Sequence, residues 1–192
     1  MYETLCAVEP LDHLRVCMMI GRQAGILGLL ATMASKHEIM SVVPYDAITK
    51  DVAKEFGIPI RRSISAMRAD LRCSNVLLSV HGRQIVKPDL LALPNMGAWN
   101  VHPCLNTYPG KEPIKRLLAD HPDDREIFAS VAMHKMAPEV DAGEVLLERQ
   151  CVVNGHTVSE IYNELYPLYV HVIRGGLNKI LSMYTPKDPQ YL

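Results

Sequence analysis

The sequence lacks an excess of charge of either sign. Its 192 residues include 20 Lys and Arg against 21 Asp and Glu, which gives a formal net charge of -1 at pH 7. Proteins that bind nucleic acids usually cluster cations to neutralise the phosphates, and the sequence shows no basic run of that kind. The charge pattern therefore predicts neither a nucleic-acid partner nor a membrane partner.

The sequence also lacks paired cysteines and long apolar segments. Its five cysteines form no Cys-x-x-Cys pair, and their odd number favours reduced thiols in a cytoplasmic protein over disulfides or a zinc site. The apolar runs are far shorter than the about 20 residues that a membrane span requires. Because the N-terminus has no signal-peptide pattern either, we expect a soluble, cytoplasmic protein that holds no metal.

Short apolar runs that alternate with helix-like segments make up most of the chain. The predicted strands are residues 14–20, 39–43, 76–80, 98–102, 127–135 and 145–153, and the predicted helices are residues 26–35, 49–56, 63–71 and 157–183. This alternation indicates βαβ units, and thus an α/β fold with a mainly parallel sheet flanked by helices. No repeat or linker interrupts the pattern, so we expect one domain over residues 1–192.

Two polar side chains stand at the end of the strand predicted at residues 98–102. Residues i and i+2 of a strand point to the same face, so Asn100 and His102 emerge together just before the turn-rich segment PCLNTYPG. Ligands of open α/β sheets bind beyond the carboxyl ends of the strands. The pair either lines such a site or only caps the strand end, and the short pattern taken alone favours the cap.

The other candidate groups are ambiguous when each is taken alone. The segment GRQAGILG, residues 21–28, opens a helix as a phosphate-binding turn would, but it lacks the G-x-G-x-x-G pattern, which favours tight packing. Asp141 fits an ordinary Asp-x-Gly turn. His81 ends a strand and is a second candidate for the same cleft, whereas His134 is predicted at the surface or the edge of the core. No histidine has metal-ligand spacing.

Taken together, three segments resemble the formyltetrahydrofolate-dependent formyltransferase family. NVHPCLNTYPGKEPIKRLL resembles the Asn-x-His signature of the family, and SVAMHKMAPEVDAGEVL resembles its second signature, which ends in Asp-x-Gly. VLLSVHGRQIVKPDLLALPNMG stands where the family has a strand and turn before the catalytic strand. The likeness spans residues 75–180 and is present only in outline before them. It implies a Rossmann-like fold and a single formyltransferase catalytic domain.

The resemblance implies that a formyl group is transferred from N10-formyltetrahydrofolate to an amine, with Asn100, His102 and Asp141 as the catalytic residues. Such a transfer passes through a tetrahedral intermediate that carries an oxyanion. By the resemblance, the Asn100 amide and a His102 N–H group donate to that oxyanion. Asp141 accepts the proton of the amine, directly or through water, and orients His102. The resemblance also implies a folate pocket contacted by Arg83, Gln84, Ile85, Val86, Pro138, Glu139, Val140 and Asp141.

Departures from the family patterns bear on the acceptor. GRQAG replaces the Gly/Ser/Asn-rich phosphate loop of the members that formylate glycinamide ribonucleotide, and we expect no room for the C-terminal tRNA-binding domain of the methionyl-tRNA members. The predicted acceptor is therefore a small-molecule amine, first of all the amino sugar of a nucleotide-linked deoxysugar. Another amine (glycinamide ribonucleotide, an amino acid or a peptide), a catalytically silent folate-binding protein and a nicotinamide-dependent oxidoreductase are the alternatives. A homodimer is left open.

Overall fold

The computed structural model describes residues 11–122 and 126–184. Within them, a six-stranded sheet has the order β2-β1-β3-β4-β5-β6. The strands are β1 (Arg15–Ile20), β2 (Glu38–Pro44), β3 (Val76–Val80), β4 (Ala98–Pro103), β5 (Ile127–Lys135) and β6 (Val145–Val153). Strands β1 to β4 pair in parallel, and β5 and β6 add to them antiparallel. The predicted α/β class with a mainly parallel sheet is confirmed.

Helices cover both faces of the sheet. They are α1 (Arg22–Ala34), α2 (Ala47–Glu55), α3 (Arg68–Cys73), α4 (Pro88–Leu91), α5 (Pro113–Asp120) and α6 (Val158–Tyr184). The short helices α4 and α5 have no counterpart among the predicted elements, and each has a proline in its first turn, where the missing N–H is no loss. None of the described helices combines the length and apolarity that crossing a membrane demands.

The alternation of side chains in β4 separates two hydrophobic cores. Trp99 and Val101 belong to the larger core, which α1 and α6 cover and which we call the first face. Ala98 belongs to the smaller core on the second face, beneath α3 and α4. Asn100 and His102 share the side of Ala98, because residues two apart in a strand point the same way. They therefore lie on the second face, at the carboxyl end of a central strand.

The glycines of residues 21–28 allow α1 to pack closely on the sheet. A Cβ atom on Gly25 would lie 3.0 Å from the Ile20 backbone, and one on Gly28 would lie 3.0 Å from Cγ2 of Val80. In addition, the backbone N–H of Arg22 donates to Oδ2 of Asp46 at 2.6 Å, so an internal carboxylate occupies the start of the helix. Tight packing, as predicted for this segment, is confirmed.

Candidate active site

A cavity of about 530 Å³ lies at the carboxyl edge of the sheet. The segments that follow β1, β3, β4 and β5 line it, together with the starts of α5 and α6, as expected for an open α/β sheet. Its lining includes all three predicted catalytic residues and most of the predicted folate contacts: Arg83, Gln84, Ile85, Val86, Pro138, Val140 and Asp141. Glu139 is exposed beside the cavity and is not part of its lining. The predicted site residues thus surround one space.

Asn100 is held in place by a histidine on the neighbouring strand. His134 of β5 stands directly opposite Asn100 in the antiparallel pairing, and its side chain is 2% exposed. Its Nδ1–H donates to the Lys135 carbonyl at 3.1 Å, so Nε2 accepts from Nδ2 of Asn100, also at 3.1 Å. Burial lowers the pKa of His134, although the charge of Asp141 opposes this, and the neutral imidazole remains an acceptor. The second amide hydrogen of Asn100 has no partner in this pair and is left for the cavity.

The placement of His134 corrects a prediction. The sequence pattern predicted a residue at the surface or core edge, and the structure buries the side chain within the site. The reason is the long-range pairing of β5 with β4, which brings residues 34 positions apart into contact. The strand pattern of VAMHKM is itself clear, but the partner of that strand cannot be identified from local sequence.

Asp141 and His102 meet through the backbone of Gly110. The His102 Nε2–H donates to the Gly110 carbonyl at 3.0 Å, and the Gly110 N–H donates to Oδ2 of Asp141 at 2.8 Å. The same Oδ2 lies 3.5 Å from Nε2 of His102, while Oδ1 lies 3.6 Å from Nε2 of His134. Gly110 has a φ of +87°, a left-handed conformation that glycine adopts at little cost. The structure thus brings Asn100, His102 and Asp141 together.

One nitrogen of His102 is buried without a partner. Because Nε2 carries the hydrogen shared with Gly110, the neutral ring has a lone pair on Nδ1. That Nδ1 is inaccessible to water and makes no hydrogen bond among the described residues. Buried polar atoms are nearly always paired, so the free lone pair on Nδ1 is an exception, and it belongs to a residue that lines the cavity.

Steric crowding requires a glycine at position 143, the last residue of the Asp-x-Gly segment. A Cβ atom on Gly143 would lie 1.7 Å from the carbonyl oxygen of Lys135, at the end of β5. The chain passes this close because the Lys135 N–H donates to the Glu144 carbonyl at 2.9 Å, where β6 begins. Only glycine fits at this crossing, and the crossing fixes the loop that carries Asp141.

His81 faces the cavity from the end of β3, as the sequence suggested. Its Nε2 is 2.9 Å from the hydroxyl of Tyr169, and its ring meets that of Tyr162 edge-on at 5.3 Å. Burial lowers the pKa of His81 to about 4, and the positive charge of Arg22 adds to the effect. The imidazole is therefore neutral near pH 7.

We expect the interaction of His134 with Asn100 to be visible in kinetics. His134→Leu removes the acceptor of the Asn100 amide and should lower kcat for the formyl transfer that the sequence resemblance implies by about tenfold or more, since misplacing a reacting group by a fraction of an ångström is costly. His134→Gln offers an amide oxygen to Asn100 and should recover much of the loss. Steady-state kinetics with a formyl-folate donor measure both, with the exposed His171→Gln as control. Equal losses in both His134 variants would contradict the positioning role.

We expect the stability to depend on pH through His81. The folded-state pKa of about 4 lies below the ordinary value of 6.5, so the unfolded chain takes up the proton first as the pH falls. The stability present above pH 6.5 is therefore lost as the pH falls towards 4, by up to about 3 kcal/mol. Urea denaturation of His81→Gln between pH 7 and pH 4.5 should show a flatter dependence than the wild type. The same slope in both proteins would contradict this assignment.

No protein-family model matches the chain. Its sequence is 31% identical over 150 residues to the methionyl-tRNA formyltransferase of Thermotoga maritima, a match that covers 77% of this chain and 42% of that protein. The chain thus spans less than half the length of that curated relative. A second curated relative, the phosphoribosylglycinamide formyltransferase of Dictyostelium discoideum, is 36% identical over 58 residues, which are 30% of this chain and 28% of that protein.

Solved structures share the fold. A phosphoribosylglycinamide formyltransferase from Anaplasma phagocytophilum has a TM-score of 0.74 and 18% identity, over 93% of this chain and 97% of that one. WlaRD, a sugar 3N-formyl transferase studied with dTDP and 5-N-formyl-THF, has a TM-score of 0.67 and 14% identity, over 92% of this chain and 66% of that one. Because the curated relative that is 31% identical over 77% of this chain is a formyltransferase, the chain belongs to the formyltransferase family.

Proposed function

We propose that this protein transfers the formyl group of N10-formyltetrahydrofolate to the amine of a small molecule, and that residues 1–192 act as one catalytic domain. The observation that carries the proposal is the cluster of Asn100, His102 and Asp141 around one cavity. These residues belong to the Asn-x-His and Asp-x-Gly segments by which the sequence resembles the family. The first acceptor we propose is the amino sugar of a nucleotide-linked deoxysugar.

The reaction needs one stabilised charge and one transferred proton. The amine nitrogen attacks the formyl carbon, the carbonyl oxygen becomes an oxyanion, and the bond from carbon to N10 then breaks. The amine loses a proton and N10 gains one, so that tetrahydrofolate and a formamide leave. The amide hydrogen of Asn100 that His134 does not engage is a preorganised donor for the oxyanion, which is commonly the largest catalytic contribution in such reactions.

His102 is suited to carry the proton. With Nε2–H held by the Gly110 carbonyl, the buried Nδ1 can accept the proton of the attacking amine and later deliver it to N10. Asp141, 3.5 Å from Nε2, stabilises the imidazolium between these two steps. This differs in two respects from the roles inferred from sequence. His102 rather than Asp141 takes the proton of the amine, and Nδ1 of His102 gains an N–H for the oxyanion only after it has taken up that proton.

The proposed folate pocket is formed by the loop after β3 and the loop after β5. Ile85 and Val140 are 76% and 61% exposed at the cavity wall, and such apolar side chains suit the flat face of a pteridine ring. The side-chain oxygen of Gln84 already accepts from the Tyr45 hydroxyl at 3.2 Å and from the Ile64 N–H at 3.0 Å. Gln84 is thus left to contact the folate through its backbone or its side-chain NH2 group, and Glu139 lies exposed outside the cavity lining.

The acceptor is the less constrained half of the proposal. Asp46 accepts the Arg22 N–H, so a carboxylate already lies at the start of α1, where it would repel the phosphate of glycinamide ribonucleotide. Methionyl-tRNA is the second candidate acceptor, because the Thermotoga maritima relative bears that name. The net charge of -1 gives no electrostatic support for tRNA binding.

An acceptor panel tests the proposal. The protein is incubated with N10-formyltetrahydrofolate and, in turn, a dTDP-linked amino sugar, glycinamide ribonucleotide, methionine and charged initiator tRNA, and the release of tetrahydrofolate is measured. We expect turnover with a small amine, only weakly dependent on salt. If only charged tRNA is formylated, and if the rate falls steeply with added salt, the acceptor is tRNA and not a small amine. The salt dependence is diagnostic because counterions are released when a protein binds nucleic acid. No turnover with any amine, despite folate binding, would favour a silent folate-binding protein.

A further inference from the structure

The peptide group that joins Pro109 to Gly110 has a side-chain partner at each end. Its N–H, which belongs to Gly110, donates to Oδ2 of Asp141 at 2.8 Å. Its carbonyl, which belongs to Pro109, accepts from Nη1 of Arg116 at 2.7 Å. A trans peptide group is planar, with its carbonyl and its N–H pointing in opposite directions, so a donor that fixes the carbonyl also fixes the N–H. Arg116 is therefore linked to Asp141 through one rigid group of atoms.

The guanidinium of Arg116 is itself held in place. The residue lies in α5, and its backbone N–H donates to the Glu112 carbonyl at 3.1 Å. Ile114 and Leu117 of the same helix are buried in the larger core. Cζ of Arg116 also lies 5.3 Å from the centre of the Tyr108 ring, a cation–π distance, and Tyr108 is buried too. The donor to the Pro109 carbonyl thus comes from a supported side chain.

Hydrogen bonds rather than core packing hold the loop between Tyr108 and α5. Pro109, Lys111 and Glu112 are exposed, and the backbone of Glu112 has a φ of +54°, which is uncommon for a residue with a Cβ atom. Three side chains bond to the backbone of this loop, and they are those of His102, Asp141 and Arg116. Of these three, Arg116 is the one that takes no part in the proposed proton transfer.

The charge of Arg116 also strengthens the bond that Asp141 accepts. A cationic donor on the Pro109 carbonyl polarises the peptide group, so the Gly110 N–H at its other end becomes a better donor. Cation, peptide group and carboxylate form one cooperative chain. This chain ends on the carboxylate that lies 3.5 Å from Nε2 of His102.

We propose that Arg116 is a positioning residue for formyl transfer: through the peptide group of Pro109 and Gly110 it holds Asp141 where the carboxylate supports His102. The inference rests on the proposed function, because the position of Asp141 affects turnover only if Asp141 takes part in the transfer. Arg116 is not among the residues that line the cavity. Its substitution should therefore change kcat and leave the binding of folate unchanged.

Hydrogen exchange of the Gly110 amide tests the link without any turnover. The full chain is labelled with ¹⁵N-glycine, and exchange is measured by NMR for the wild type, Arg116→Met and Arg116→Lys. Arg116→Met keeps a long side chain but removes the donor, whereas Arg116→Lys keeps a cationic donor. The internal control is the Gly97 N–H, which donates to the Pro94 carbonyl at 3.0 Å in the loop before β4. Arg174→Met removes an exposed arginine of α6 outside the cavity lining and is the matched variant.

We expect the Gly110 amide to exchange about tenfold faster in Arg116→Met, as the loss of a charge-assisted hydrogen bond implies. Arg116→Lys should exchange at a rate between those of the wild type and Arg116→Met. The Gly97 amide should be unaffected in every variant, and Arg174→Met should match the wild type at both positions. Unchanged exchange of Gly110 in Arg116→Met would overturn the inference.

A double-mutant cycle with Asp141→Asn separates positioning from a general loss of structure. Arg116→Met should lower kcat by about tenfold, Arg116→Lys should recover part of the loss, and the dissociation constant for 5-formyltetrahydrofolate should stay the same. In the Asp141→Asn background, Arg116→Met should lower kcat by less than about a further twofold, because the two residues act through one chain. The same tenfold loss in both backgrounds would mean that Arg116 does not act through Asp141, and would overturn the inference.

The two measurements distinguish failure of the inference from failure of the proposed function. A wild-type protein that formylates none of the amines would contradict the proposed function, and with it the role of Arg116 in transfer. Transfer in the wild type, together with a Gly110 amide that does not respond to Arg116→Met, would overturn the inference alone.

Discussion

Replacing Asp141 with asparagine is expected to lower kcat for formyl transfer by about a hundredfold or more, the usual cost of removing one group that acts on the transition state. The variant is mild in structural terms, because the asparagine side-chain oxygen can still accept the Gly110 N–H that Oδ2 accepts at 2.8 Å. What it loses is the negative charge near His102 and His134. The dissociation constant for 5-formyltetrahydrofolate should therefore change little.

The matched control for this variant is Glu144→Gln. Glu144 is an exposed acid in the same loop, and only its backbone takes part in the contact with Lys135. Glu144→Gln should leave kcat within about twofold of the wild-type value, because surface substitutions usually have small effects. Near-normal turnover of Asp141→Asn would show that Asp141 is a turn residue, and the proposed support of the His102 imidazolium would fail.

Replacing Gly143 with alanine is expected to cost activity although residue 143 touches no proposed substrate. The added Cβ would lie 1.7 Å from the Lys135 carbonyl oxygen, a backbone atom at the end of a paired strand, so the loop rather than the strand must shift. Asp141 is two residues away and must shift with it. A displacement of about 1 Å from the productive geometry can lower kcat/KM by about a hundredfold.

The neighbouring residue provides the control for the glycine variant. Ala142 is exposed, and Ala142→Ser adds one atom to a side chain that solvent reaches. We expect Ala142→Ser to retain kcat/KM and the melting temperature, whereas Gly143→Ala lowers both. Full activity in Gly143→Ala would mean that the crossing at Lys135 does not position the Asp141 loop.

Much of the sheet could be predicted from the sequence, because its strands are compact apolar runs. The strands at 76–80, 127–135 and 145–153 have the bounds that their patterns predict, and β4 is longer by Pro103. The helices α4 and α5 were missed. They have four and eight residues, too few to show a helical period, and proline and turn residues surround them.

The candidate site was predictable only where the signal is local. Asn100 and His102 lie two apart in one strand, so their common face follows from the sequence. The bond from Asn100 to His134 depends on which strand pairs with β4, and the link from His102 to Asp141 depends on the conformation of Gly110. Such long-range contacts leave no periodic signal in the sequence.

The central claim is the transfer of a formyl carbon from folate to an amine, and following that carbon tests it most directly. The full chain is incubated with N10-formyltetrahydrofolate labelled with ¹³C in the formyl group and with a dTDP-linked amino sugar, and the label is followed by NMR. Our account predicts that the label appears as a formamide in step with the release of tetrahydrofolate, and that Asp141→Asn slows both. Label released as free formate would make water the acceptor, and label that stays on the folate would exclude transfer; either result would contradict the account.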